Sequence, residues 1–305
     1  MSQPTPYRIK SIPEFLQLRG LPKSAHPLLT VIRMEDIQHI PNYSTQPAIF
    51  DFYMISLKRV ADISYKYGQQ EYDFDDGVMF FIAPGQILGM SIGSNPVRPS
   101  GWILLIHPDF FWGTSLAKTI RNYEFFDYSV KEALFLSEKE EQTLTGVVEN
   151  IEQEYRANMD KFSQDIIISQ IETLLRYSER FYNRQFLTRK ISNHQLLERL
   201  EDYFSRYFAN ENVLERGLPS VQSIADELAV TPKYLSSMLK VLTGQTTQQL
   251  IHEKVIGLAK QQLSTTDLSV SQIAFSLGFE HPQSFSKFFK SKTNTSPLEF
   301  RQSFN

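Results

Sequence analysis

Two sets of hydrogen-bonding side chains recur in this sequence at one spacing. Lys233, Ser236, Ser237 and Lys240 form the first, and Gln283, Ser286, Lys287 and Lys290 the second, fifty residues further on. Neither set contains a carboxylate. On a helix, positions 0, 3, 4 and 7 share one face at about 100° per residue, so each set is a stripe of cations, amides and hydroxyls. Such a stripe suits a polyanion with readable edges: Gln can pair with adenine, Lys with guanine, and Ser with base edges or phosphate. Lys240 and Lys290 come late in their helices, and the expected partner of both is phosphate.

The elements that must carry these stripes are duplicated too. Pro232–Thr246 (PKYLSSMLKVLTGQT) and Pro282–Ser296 (PQSFSKFFKSKTNTS) align without a gap. Proline, serine, lysine and threonine coincide at Pro232/Pro282, Ser236/Ser286, Lys240/Lys290 and Thr243/Thr293. Leu235, Met238 and Leu239 match Phe285, Phe288 and Phe289 on the opposite, apolar side. A short helix is expected before each copy. Ser220 caps Val221, Ile224, Ala225 and Leu228, and Ser269 caps Val270, Ile273, Ala274 and Leu277. The small Ala225 and Ala274 let a second helix come close. A tight turn follows, Ala229-Val230-Thr231 in one copy and Gly278-Phe279-Glu280-His281 in the other. Proline then stands in a first helical turn, where its missing N–H costs nothing. This is a helix-turn-helix pattern at about 220–244 and again at about 269–294, and the second helix of such a unit is the one offered to a major groove. Any helical hairpin turns polar residues outward, so one copy alone says little. Two copies in register, both free of acids on the outer face, say more.

These residues resemble the AraC/XylS family of transcription regulators. The resemblance covers roughly residues 195–305. It rests on Ile224-Ala225, Tyr234-Leu235-Ser236, Lys240 and Gly244 in the first motif, and on Ala259-Lys260 and Leu263 between the motifs. In the second motif it rests on Ile273-Ala274, Gly278-Phe279, Phe285-Ser286, Phe289-Lys290, Pro297 and Phe300-Arg301. The resemblance implies a seven-helix domain in which a long central helix, about Thr247–Leu263, holds two recognition helices one DNA turn apart. It places base contacts at Lys233, Ser236, Ser237, Gln283, Ser286 and Lys287. Many members carry arginine where Ser237 and Val255 stand here, so weaker base reading by the first motif is expected, and no salt bridge from position 255. The resemblance further implies an activator that works with RNA polymerase, a small-molecule effector at an N-terminal cupin-like β-barrel, and a homodimer.

The rest of the chain is compatible with that plan. The expected fold class is α+β: a barrel at about 25–110, helices at about 137–182, a linker at 183–194 and the DNA-binding domain at 195–305. Strand-like runs are Ala48–Leu57, Asp62–Tyr67, Val78–Ile82 and Trp102–Ile106, separated by Asp75-Asp76-Gly77, Pro84-Gly85 and the stretch from Ser91 to Gly101. From Ser137 the period becomes helical, with Leu144, Val147, Val148 and Ile151 on one face. Ser163 opens a second helix through Ile167, Ile168, Ile171 and Leu174-Leu175 to about Tyr182. Those two stripes are candidates for pairing two copies of the chain, or for packing on the barrel. Asn183–Asn193 is polar and basic. Among the aromatic residues of 50–81, the candidate effector-pocket residues are Phe52, Tyr53, Phe80 and Phe81, with core packing as the plainer alternative.

Composition sets the bounds. The 305 residues are 41% hydrophobic and 21% charged, with a net charge of −3, a normal globular balance. Charge is uneven: residues 216–305 hold nine basic and six acidic side chains, while the remainder holds 22 and 28. An anion-facing C-terminal end is consistent with that, although moving the window back to residue 193 cancels the excess. The chain has no cysteine, which excludes disulfides, thiolate metal sites and cysteine nucleophiles. The start, MSQPTPYRIK, lacks the apolar stretch of a signal peptide, and no run reaches the ~18 apolar residues of a membrane span. A cytoplasmic location is expected. His26, His39 and His107 are too scattered to suggest a metal site, and no Ser-His-Asp set, phosphate loop or H-E-x-x-H pattern occurs. No cofactor and no catalytic residue are expected. The competing readings are a cupin-type small-molecule enzyme with a vestigial DNA-binding domain, and a protein-docking module built on the same helices.

Overall fold

The computed structural model describes residues 6–37, 48–59, 65–67, 70–72, 77–88, 100–129, 132–157, 159–188, 190–209 and 213–303. The chain divides into two compact units, Met1–Gln185 and Phe186–Asn305.

The first unit opens with β1 (Tyr7–Ile9), α1 (Ile12–Leu18), β2 (Leu29–Arg33), β3 (Ala48–Phe50) and β4 (Tyr53–Arg59). A hairpin of β5 (Tyr65–Tyr67) and β6 (Gln70–Tyr72) follows, then β7 (Val78–Ile82), β8 (Ile87–Leu88) and β9 (Ser100–Ile106). The short helix α2 (Leu116–Thr119) and β10 (Leu134–Phe135) lead into the long helices α3 (Glu138–Arg156) and α4 (Ser163–Thr188). Five strands pair antiparallel in the order β10-β7-β4-β9-β2. Side chains alternate along each strand. The register therefore gathers Met54, Ile82, Leu105, Ile103 and Ile32 on one face, where they pack with Ile9, Ile12, Phe15, Leu16, Phe50 and Phe52. On the other face the long helices are tied to the sheet. Trp102 Nε1 donates to Thr145 Oγ1 at 3.2 Å, and Val31 N donates to the Tyr155 hydroxyl at 3.1 Å. Arg33 pairs with Glu152 at 2.9 Å and Arg59 with the buried Glu141 at 2.5 Å.

The strands described do not close into the expected cupin-like barrel. Among the described residues this sheet is open, with the two-residue β10 and β2 at its edges. A barrel closes because its inner face has no other cover. Here α1 and the small sheet β1-β3-β8 pack on one face and the long helices on the other, so both faces are covered without closure. The run Ala48–Leu57, read as one strand, is split at Asp51-Phe52 between two sheets. Asp51 holds the bend: its N–H donates to the Ile9 carbonyl at 3.0 Å and its carboxylate pairs with Arg8 at 2.9 Å.

Glu140 reaches back to the N–H of Ser137 at 2.9 Å, the capping box that starts α3. Leu144, Val148 and Ile151 of α3, and Ile167, Ile171, Leu174 and Leu175 of α4, are all fully buried. The stripes considered for pairing two copies are thus already covered within one. Residues 183–188 continue α4, and the next helix begins at Lys190, so the segment read as a linker is helical where it is described. Polar composition does not end a helix. Gly or Pro would, and Asn183–Asn193 contains neither.

The second unit is helical: α5 (Lys190–Ala209), α6 (Val213–Arg216), α7 (Val221–Leu228), α8 (Pro232–Thr243), α9 (Thr247–Thr265), α10 (Val270–Ser276), α11 (Pro282–Thr293) and α12 (Pro297–Gln302). Ser220, Thr231, Thr246, Ser269 and Ser296 each accept a backbone N–H at the start of the helix they cap, which sets sharp helix starts. Ile251, Val255, Ala259 and Leu263 bury one side of α9. Val255 has no exposed surface, so position 255 belongs to the core. Arg301 ties α12 to the end of α9 through the Leu263 and Leu268 carbonyls at 3.1 and 2.6 Å. Among the described residues, no helix is long and apolar enough to cross a membrane.

Candidate nucleic-acid interface

Each recognition-type helix is set by the turn before it. After α7 the chain reverses at Ala229 (φ 58°), with Val230 N bonded to the Ala225 carbonyl at 3.0 Å and Ala229 N to Asp226 at 3.1 Å. After α10 it reverses at Gly278 (φ 85°), with Phe279 N bonded to Ala274 and Gly278 N to Phe275, both at 3.0 Å. These are the same paired C-terminal bonds, forty-nine residues apart, while α8 and α11 match at fifty. The second turn therefore holds one residue more. The helices pack through Ile224, Ala225, Leu228, Leu235, Met238 and Leu239 in the first copy, all buried. Ile273, Ala274, Leu277, Phe285 and Phe289 do the same in the second.

The opposite faces are exposed at Lys233 and Lys240 on α8 and at Gln283, Lys287 and Lys290 on α11. Ser237 is half-buried. None of these four lysines forms an ion pair among the described residues. Lys254 pairs with Glu201 at 2.6 Å and Arg206 with Glu227 at 2.8 Å, away from these stripes. Cations outside any direct ion pair on one helix face suit a polyanion, although Glu299 of α12 lies near enough to Lys290 to feel its charge. Ser236 and Ser286 sit differently. Both are half-buried at the edge of the face. The Ser236 hydroxyl lies 3.2 Å from that of Thr247, the buried first residue of α9, and the Ser286 hydroxyl donates to the Pro282 carbonyl at 3.0 Å.

Ser284 and Ser291 lie off the i, i+3, i+4, i+7 stripe. Both are exposed. At 100° per residue, they flank Lys287 on the side away from Ser286. The signal was available: centring the arc on Lys287 instead of extending the i, i+3, i+4, i+7 stripe would have included Ser284 and left out Ser286. The matched α8 positions, Tyr234 and Val241, are half-buried, and the Tyr234 ring meets Phe186 edge-on at 5.1 Å.

Behind α11, His252 of α9 stacks edge-on against Phe288 at 5.0 Å, inside an aromatic cluster with Phe279 and Phe285. Burial, with Lys292 as a smaller influence, holds the His252 pKa below its ordinary 6.5.

In the first unit, Phe52, Tyr53 and Phe81 are buried and Phe80 half-buried. Phe52 packs on Phe15 and Phe50, Tyr53 on Phe111 and Phe126, and Phe81 on Phe125, Phe126 and Tyr182. Phe80 stands on the sheet face of Ser56, its register partner. Among the described residues no three His, Asp or Glu side chains gather as metal ligands. His26 lies edge-on to Phe110 at 5.3 Å, and His107 accepts the Asp109 N–H. His39 lies outside the described residues.

Parts of the chain are similar to known proteins. Residues 224–303 match a family model described as a helix-turn-helix domain. The HTH-type transcriptional activator RhaS of Escherichia fergusonii is 34% identical over 110 residues, which is 36% of this chain and 35% of that protein. Histidine kinase P4 of Formosa agariphila is 29% identical over 140 residues, 44% of this chain and 10% of that protein. Among solved structures, the C-terminal domain of AraT, a response regulator from Geobacillus stearothermophilus, is 27% identical with a TM-score of 0.31, covering 35% of this chain and 84% of that one. The chain thus spans about a third of the length of the first of these curated relatives and a tenth of the second. Two helix-turn-helix units in register about one connecting helix, matched from Ile224 to Ser303, make the C-terminal part of this chain an AraC/XylS-type helix-turn-helix domain.

Proposed function

We propose that the protein is a sequence-specific regulator of transcription that binds double-stranded DNA through α8 and α11. One observation carries the reading: two helices matched in sequence and in turn geometry each present lysines that form no direct ion pair among the described residues, on an outer face free of acids. The connecting helix α9 has 19 residues, a length of about 28 Å at 1.5 Å per residue. That is near the ~34 Å between successive major-groove entries. Lys233, Ser237, Gln283 and Lys287 are proposed to meet base edges, Lys240 and Lys290 phosphates, and Ser236 and Ser286, whose hydroxyls lie against Thr247 and the Pro282 carbonyl, to be chiefly structural. The RhaS relatives are named as activators, and activation is the sense proposed here.

Alanine variants test it. Lys287→Ala or Gln283→Ala should relax sequence choice, at about 1–3 kcal/mol per lost base contact. Lys290→Ala should weaken specific and random DNA alike and flatten the dependence of affinity on salt. Equal losses for all three on both kinds of DNA would refute the roles. Weak, salt-insensitive binding by the unaltered protein would favour a protein-docking surface instead.

A further inference from the structure

The two outer faces are not equivalent, although the sequence repeats. Measured around α11 at 100° per residue, Lys290, Gln283, Lys287, Ser291 and Ser284 fill one continuous arc, and all five are exposed. The same arc of α8 holds Lys240, Lys233, Ser237, Val241 and Tyr234. There only the two lysines are exposed. Val241 and Tyr234 are apolar or aromatic and half-buried, with Tyr234 against Phe186. Ser236, at the other margin, is held at 3.2 Å from Thr247.

Discrimination between base pairs needs donors and acceptors placed at base edges, whereas a lysine at the margin of a groove supplies affinity without choice. The α11 arc carries an amide, two hydroxyls and two ammonium groups. The Ser291 hydroxyl donates to the Phe288 carbonyl at 2.7 Å, which leaves Gln283, Ser284 and Lys287 as a triangle of hydrogen-bonding groups at the N-terminal half of the helix, the half that enters a groove first. The α8 arc offers one half-buried hydroxyl between two lysines.

We infer that the two helices divide the work unequally: α11 carries most of the sequence reading, with Ser284 as a base-contacting residue beside Gln283 and Lys287, and α8 reads its block loosely and serves chiefly to anchor the domain. This rests on the DNA-binding reading above. In a bound site made of two blocks, the block under α11 should be the strict one and the block under α8 the tolerant one.

The test selects bound duplexes from a library with both blocks randomised, at near-physiological salt, using the full chain and its Ser284→Ala, Lys287→Ala and Ser237→Ala variants. Circular dichroism and thermal midpoints show that each variant is folded. The expected result is one strict block. Ser284→Ala and Lys287→Ala each flatten preference at different positions of that block, by at least about fivefold per position. Ser237→Ala shifts no preference by more than about twofold. If Ser284→Ala selects the same sequences as the unaltered chain, or Ser237→Ala flattens a block as strongly as Lys287→Ala, the division is overturned while DNA binding stands. If the unaltered chain enriches nothing, both readings fall together.

Discussion

A Cβ atom added at Gly278 would stand 2.7 Å from the carbonyl oxygen of Gly217, with the Val213 side chain at 3.1 Å. The turn that sets α11 is therefore pressed against the loop after α6, backbone to backbone. The matched turn before α8 is made by Ala229, which takes the same left-handed conformation.

The two turns should respond to substitution with opposite signs. Gly278→Ala meets backbone that cannot swing away and adds a left-handed alanine, so it should destabilise by at least about 2 kcal/mol. Ala229→Gly relieves about 1–2 kcal/mol of left-handed strain and loses about 0.4–1 kcal/mol through the freer unfolded chain, for a net gain near 0.5 kcal/mol. Urea unfolding of both variants checks this. A stabilising Gly278→Ala would mean that the α6 loop is not where we describe it.

Ser236 should behave as a structural residue. Its hydroxyl links α8 to the buried Thr247 that begins α9. Ser236→Ala should cost about 1 kcal/mol of stability and leave base preference unchanged. A stable variant with altered preference would return Ser236 to the DNA contacts.

Stability should fall as solution turns mildly acidic. His26 and His252 both have pKa values held below the ordinary 6.5, chiefly by burial. A histidine whose folded pKa is depressed favours the neutral form in the fold. Its contribution is complete above the unfolded value near 6.5 and is lost as pH drops through that value toward the folded one. His252→Gln should remove part of this slope, read from unfolding midpoints between pH 7.5 and about pH 5. Identical slopes for variant and parent would show that His252 does not titrate against the fold.

Glu140 joins two helices: it accepts the Ser137 N–H at the start of α3 and pairs with Arg184 of α4 at 2.6 Å. Glu140→Ala should destabilise the first unit by about 1–2 kcal/mol through lost capping and a lost partner for Arg184. Glu140→Gln should retain the cap and part of that loss. Equal effects of the two substitutions would place the cost in the ion pair alone.

The second unit was legible because its signals are local. Caps such as Ser220 and Ser269, first-turn Pro232 and Pro282, and the apolar spacing of Ile224-Leu228 all act within a turn or two of chain. Side-chain direction was legible only in part: periodicity put Ser236 and Ser286 toward the outer face and could not show that Thr247 and the Pro282 carbonyl lie against their hydroxyls. The first unit was harder because strand partnership is non-local. Nothing in the run from Ala48 to Leu57 announces that it bends at Asp51, where Arg8 and Ile9 from far earlier in the chain meet it, or that its halves join different sheets. Closure of a barrel likewise depends on what else covers the strands, and α1 does so from outside any local pattern. Helix α4 outran its expected end because a basic, polar stretch without Gly or Pro keeps its helical option.

The most direct measurement of the central claim is recovery of sheared genomic DNA by the purified protein at near-physiological salt, followed by sequencing. DNA binding through both α8 and α11 predicts a few enriched sites, each with two short blocks about one helical turn apart, lost when Lys233, Lys240, Lys287 and Lys290 are all changed to alanine. Uniform or absent recovery, or enrichment that survives that fourfold change, would contradict it.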